Sequence, residues 1–143
     1  MSTGRLTTKH TYGVSARKNC CFWRDEGHLV YVCGNNVVIV NADTKEQQFI
    51  QGTSYPFTGL GITSIAHLYS RRLIAVAEKS VECGHVTLYE SHSLKKRKTL
   101  SLDQLGSKEV VAMSFSHDGE NLLHVFSCCI ALTTLLSQIL ILF

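Results

Sequence analysis

The sequence predicts an all-β fold made of repeated four-stranded sheets, on three observations. Short runs rich in β-branched and aromatic residues recur at close intervals, each about five residues long and so matched to single strands. Only one proline is present, Pro56, and the glycines are scattered among the turn-like polar clusters that separate the runs. Two separate stretches of the chain repeat at an offset of 49 residues.

The runs with strand character are 19–23, 29–33, 37–40, 47–50, 62–68, 73–78, 86–89, 98–102, 110–116 and 121–125. Laying Gly34-Asn35-Asn36 over Cys83-Gly84-His85 puts Val37 on Val86 and Val40 on Tyr89. Both copies then pass through a short polar link, Asn41 to Lys45 and Glu90 to Leu94, into a further strand. Ser70 to Ile74 falls on Gly119 to Leu123 at the same offset of 49, and the matching turn of the first unit, opened by Asp25, sets Leu29 44 residues before Leu73. A period of about 40 to 50 residues is that of propeller blades, four-stranded antiparallel sheets whose two faces must each be covered by a neighbour. The clearest turn, Ser116-His117-Asp118-Gly119, suits a tight hairpin because Asp and Gly tolerate its backbone angles. The expected architecture is a partial β-propeller of about two and a half blades over 1–125, with the third blade begun at Val110, followed by a distinct tail, 126–143.

Composition narrows the function. At 143 residues, 45% hydrophobic and 17% charged, the chain is long and apolar enough for a packed core. A net charge of +3 gives no reason to expect a nucleic acid partner. The polar start, Met1 to Gly13, lacks the apolar run of a secretory signal, so a cytoplasmic chain is expected. Its six cysteines, Cys20, Cys21, Cys33, Cys83, Cys128 and Cys129, are then expected to be reduced and buried, and none forms a Cys-x-x-Cys pair.

No catalytic, metal or cofactor site is expected. His85 and His92 lie seven apart across a strand and its turn, and no carboxylate pair completes a site with them. Gly59-Leu60-Gly61-Ile62-Thr63-Ser64 opens like a phosphate loop but lacks its third glycine and Lys-Ser/Thr, and reads as a blade connection. Cys20 and Cys21 have no oriented histidine beside them in sequence. The concentrated charge is Lys95, Lys96, Arg97 and Lys98, expected in the link between the third and fourth strands of a blade. As a functional surface it suits an acidic protein, such as the surface of tubulin, or a nuclear import signal, and the absence of neighbouring aromatic residues argues against nucleic acid.

Val111-Ala112-Met113-Ser114-Phe115-Ser116-His117-Asp118-Gly119-Glu120-Asn121-Leu122-Leu123 resembles the opening of a WD repeat: an apolar strand, a Phe-Ser-x-Asp-Gly turn and a Leu-rich second strand. The Gly-His and Trp-Asp signatures are weak, since Gly84-His85 precedes a third strand and Trp23 stands in a first one. From Tyr12 to about Val125 the chain is similar to the N-terminal region of the cilia- and flagella-associated WD-repeat proteins. The features that carry this are His10 to Val14, Gly34-Asn35-Asn36, Gln48 to Gly52, Arg71 to Ala75, Lys96 to Leu100 and the Met113 to Leu123 segment. The resemblance implies a WD40-like propeller acting as a non-catalytic scaffold in the axoneme of motile cilia, near microtubules and the inner dynein arms. The family continues through further blades and a coiled coil, so a truncated form with a divergent ending is expected, able to self-associate through an open blade edge.

The tail carries no formal charge from Val125 to Phe143. As a helix its 19 residues would reach about 28 Å, close to the hydrocarbon thickness of a bilayer. Ser127, Thr133, Thr134, Ser137 and Gln138 gather on one side of such a helix, and no basic flank precedes it. A tail anchor on a small cytosolic β domain, a helix packed on the blades and a poorly specified, aggregation-prone end all fit these residues.

Overall fold

The computed structural model describes residues 8–15, 20–52, 59–81, 83–101, 108–126, 130–134 and 140–142. Among them are three antiparallel four-stranded sheets, each formed by consecutive strands. The first comprises β1 (Cys21–Trp23), β2 (His28–Cys33), β3 (Asn36–Asn41) and β4 (Gln47–Gln51). The second comprises β5 (Gly59–Leu68), β6 (Leu73–Ser80), β7 (His85–Glu90) and β8 (Lys96–Ser101). The third comprises β9 (Val110–Phe115), β10 (Asn121–Phe126), β11 (Ile130–Thr134) and β12 (Leu140–Leu142).

The repeat seen in the sequence is a repeat of hydrogen bonds. β3 and β7 start at Asn36 and His85, 49 residues apart, and the turn after each is closed in the same way. The Asn41 N–H donates to the Glu46 carbonyl and the Glu90 N–H to the Lys95 carbonyl, both at 2.9 Å. Lys45 and Leu94 take left-handed backbone angles, φ 61° and 56°, at equivalent points. In each turn a side chain at the first position accepts from the N–H groups that follow: Asn41 Oδ1 from Asp43 and Thr44, the Glu90 carboxylate from His92 and Ser93. The hairpin expected at 116–119 is also present. Gly119 supplies φ 71°, and its N–H donates to the Ser116 carbonyl at 3.0 Å.

The second sheet is buried on both faces, which explains the near-continuous apolar run of β6. Alternate residues of a strand point to opposite sides, so Ile74 and Val76 face one way and Ala75 and Ala77 the other. The first pair packs with Val30, Val32, Val37 and Ile39 of the first sheet. The second packs with Val110, Met113, Leu122 and Phe126 of the third. Each fully buried Val, Ile, Leu or Phe contributes roughly 1.5–3 kcal/mol, and no sheet could collect that alone. Polar contacts fix the docking. Arg24, nearly buried, donates from Nη1 to the Ser91 carbonyl at 3.2 Å across the first interface. Lys79 and Glu109 pair at 2.8 Å across the second.

Three expectations are corrected. The described residues of the tail are strands, not a helix: Ile130–Thr134 pairs with β10 through Val125↔Ile130 to Asn121↔Thr134, and Leu140–Leu142 pairs with β11. A helix there would leave the N–H and C=O groups along the free edge of β10 unpaired, so the third sheet is four-stranded and the half blade becomes a whole one. Gly59 to Ser64 lies within β5 instead of forming a connection, with register shifts between Gly59 and Ser64. Of the cysteines, Cys20 is buried, Cys33 and Cys83 are half-buried and Cys21 is exposed; Cys128 and Cys129 lie outside the described residues.

Candidate protein-binding surface

The basic run forms a strand at the rim of the second sheet. β8 pairs with β7 through Leu88↔Lys98, Thr87↔Thr99 and Val86↔Leu100, and is the last strand of its sheet. The strand expected over 98–102 thus begins two residues earlier, with Lys96, Arg97 and Lys98 in it and only Lys95 in the link. The reason is Leu100, 4% exposed, which anchors the strand in the interface with the third sheet and carries the preceding residues into β pairing. Lys95, Lys96 and Arg97 are exposed and Lys98 is half-buried. The register skips Arg97, a bulge that sets Lys96 opposite Tyr89 and Lys98 opposite Leu88, two residues on opposite faces of the sheet.

Three of these charges, those of Lys95, Lys96 and Arg97, are exposed. Among the described residues no carboxylate lies within ion-pair distance of Lys95, Lys96 or Arg97. Glu90, the carboxylate of the adjoining turn, is held by the Ser93 hydroxyl and N–H and by the His92 N–H, which bring its pKa down to about 2. It serves the turn and leaves the lysines to solvent.

A second feature was not foreseen. The first strands of all three sheets converge on an open cleft of about 250 Å3 whose wall includes Phe22, His67, Tyr69 and Phe115. The His67 ring stacks on Phe22 at 5.0 Å and meets Tyr69 at 4.1 Å. Burial, then the Arg24 charge, pushes the His67 pKa down to about 4, so the ring is neutral near pH 7. The sequence hint was an aromatic or histidine near the end of each first strand, at Phe22, His67 and Phe115, which single-strand reading treats as core.

The histidine and carboxylate pairs that do form are local. His28 sits 2.7 Å from Asp25 within one turn. There, partial burial raises the Asp25 pKa, but hydrogen bonds from His28, Gly27 and Arg24 outweigh it and hold the carboxyl well below its usual range. His85 lies 3.2 Å from the buried Glu78 across two paired strands. Among the described residues no three His, Cys, Asp or Glu side chains gather as metal ligands, and no helix is long and apolar enough to cross a membrane.

Solved structures with this arrangement are β-propellers. The chain superposes on the β-propeller domain of Cps50 (Swd1) from Myceliophteria thermophila with a TM-score of 0.67 at 15% identity, covering 96% of this chain and 39% of that one. It superposes on Sqt1 of Saccharomyces cerevisiae with a TM-score of 0.59 at 16% identity, covering 80% and 29%. The fold is that of a partial β-propeller. In sequence, the chain is 32% identical over 126 residues to mouse cilia- and flagella-associated protein 57, covering 86% of this chain. It is 25% identical over 128 residues to cilia- and flagella-associated protein 57 C of Tetrahymena thermophila, and 32% identical over 125 residues to mouse cilia- and flagella-associated protein 44. The chain spans 10%, 10% and 6% of those three relatives. No protein-family model matches it.

Proposed function

We propose that this chain is a non-catalytic, protein-binding blade unit of the ciliary axoneme, which holds an acidic partner on the basic rim formed by Lys95, Lys96, Arg97 and Lys98. The ciliary and flagellar names of the relatives supply the location. The exposed Lys95, Lys96 and Arg97, with no carboxylate of the described residues within ion-pair distance, carry the reading of how it binds. The second sheet has committed both faces to its neighbours, so its rim is what it offers to another protein. Within an axoneme the acidic surface of tubulin and proteins of the inner dynein arm region are the partners considered. The reading involves no cofactor, metal or nucleic acid.

The test is co-sedimentation of the purified chain with demembranated axonemes, beside the variant K95E/K96E/R97E. Binding that weakens at least tenfold in the variant, and falls steeply as salt rises, is expected of a charged contact. Equal sedimentation of the two proteins removes the rim from the contact, and no sedimentation of either removes the axonemal reading.

A further inference from the structure

We propose that the open cleft where the first strands converge is a second docking site, which takes one apolar side chain of a partner protein with a carboxylate beside it in sequence. The inference goes beyond the basic rim and does not rest on it. Both hydrophobic clusters reach this cleft: Ile65 of its lining belongs to the core between the first and second sheets, and Ala66 and Met113 to the core between the second and third. Phe22 packs against the first cluster and Phe115 against the second, so each core ends in a half-buried ring at the cleft wall. An apolar side chain seated between them continues both cores and takes those rings further out of water. At about 250 Å3 the opening is smaller than the roughly 300–1,000 Å3 of a small-molecule site, which sets the occupant at one side chain.

The lining selects an uncharged group, and its border selects a negative one. Among the described residues no Asp, Glu, Lys or Arg lines the cleft, and His67 is neutral near pH 7. After burial, the strongest influence on the His67 ring is the Arg24 charge, ahead of the opposing charge of Asp25, so the field beside the cleft favours an anion. Arg72 supplies the cation for it. The turn after β5 is closed by the Arg72 N–H donating to the Tyr69 carbonyl at 3.2 Å, which sets this exposed arginine at the same hairpin end as the wall residue Tyr69. The Ser91 N–H donates to the Arg72 carbonyl at 2.8 Å, so the backbone there is fixed before a partner arrives. Arg71 is already paired with Glu120 at 3.9 Å, and Asp25 with Arg24 and His28, whereas among the described residues no carboxylate lies within ion-pair distance of Arg72. Tyr69 is 63% exposed, and its hydroxyl, donating to the Trp23 carbonyl, ties it to the first sheet. An anchored tyrosine beside an unpaired arginine is the pairing of residue types that dominates contacts between proteins.

The experiment uses the full 143-residue chain and a capped peptide of serine, phenylalanine, glutamate and serine, with NMR titration giving both affinity and position. Saturable shifts are expected at the His67 ring and along the 69–72 turn. Binding should weaken about tenfold when asparagine replaces the phenylalanine, and about threefold when glutamine replaces the glutamate. Arg72→Glu should abolish the advantage of glutamate over glutamine and keep the preference for phenylalanine, while Tyr69→Ala should weaken every peptide. Equal affinity of the phenylalanine and asparagine peptides would overturn the apolar anchor. An advantage of glutamate that survives Arg72→Glu would overturn the placing of the carboxylate. Shifts at β8 with none at the cleft would move binding to the basic rim, sinking this site and leaving the rim reading intact. Shifts at the cleft that grow with protein concentration, with no peptide present, would make the occupant a second copy and overturn the choice of partner.

Discussion

Strands β5 and β6 of the second sheet turn isoleucine and valine toward the first sheet and alanine toward the third, and the difference sets what each neighbour must supply. On the first side, Ile65, Ile74 and Val76 meet Val30, Val32, Val37 and Ile39, residues of similar size that interlock by shape. On the other, Ala66, Ala75 and Ala77 form a shallow floor beside Val86, Leu88 and Leu100, and Met113, Leu122 and Phe126 pack into the same cluster. Each interface also holds a histidine in a different condition. His67, at the first, is half-buried between two aromatic rings with its Nδ1 unpartnered; His124, at the second, is fully buried, with no hydrogen-bond partner for either ring nitrogen. Two docking surfaces of one sheet are thus unequal: matched in size around a half-buried histidine on one side, large side chains over alanine around a fully buried histidine on the other.

The largest effect is expected where size contrast is greatest. Phe126→Ala removes the knob over the alanine floor and should destabilise the chain by about 3–5 kcal/mol, whereas Ile74→Val, on the matched side, should cost about 0.5–1.5 kcal/mol. Urea unfolding of the two variants measures this, and equal losses would erase the distinction.

Acid should act on both interfaces next. Burial pushes the His124 pKa from 6.5 down to about 4, so the unfolded chain takes up this proton more readily than the folded one. The contribution to stability is complete above pH 6.5 and is lost as pH falls through that value toward 4. At about 1.4 kcal/mol per unit the loss is on the order of 3 kcal/mol. His124→Leu should flatten most of this slope and raise stability at neutral pH, since it also removes two unpaired nitrogens. His67→Leu should remove a comparable part of the slope, because its pKa is also lowered from 6.5 to about 4, but should raise neutral stability less, since it removes one unpaired nitrogen instead of two. Unfolding free energies between pH 7 and 4 decide the order.

Much of this asymmetry was legible in advance, and some of it was not. Period-two alternation found β1 to β10, and the 49-residue offset located the equivalent turns, because both depend on local backbone chemistry. Reading the tail failed because Leu135-Leu136 and Ile139 to Leu142 are apolar under any period, and the deciding fact is the open edge of β10, which is not local. The basic run was found as charge but assigned to a link, since its strand character comes from Leu100 seated in the interface. The unpaired His124 was invisible: nothing in Leu122-Leu123-His124-Val125-Phe126 tells which side meets a neighbouring sheet.

Overpacking tests whether the alanines are a fitted floor. Ala75→Leu is expected to cost about 1–3 kcal/mol. Met113→Ala in the same chain should restore part of it, with a coupling of about 0.5–3 kcal/mol. Additive losses would mean that Ala75 and Met113 do not share space.

The smallest effect belongs to the rim, and it separates docking within the chain from docking to others. Leu100 and the basic residues occupy one strand, yet Leu100 is buried in the second interface while Lys96 and Arg97 project into solvent. K96E/R97E should therefore alter thermal stability by no more than about 0.5 kcal/mol, against about 2–5 kcal/mol for Leu100→Ala. Differential scanning calorimetry makes the comparison. A large loss from K96E/R97E would mean that the cations support the sheet itself, and the rim would then not be available to a partner without loosening the blade. A negligible loss leaves these charges with no role in folding, so any conserved effect of reversing them on axoneme binding is read as recognition.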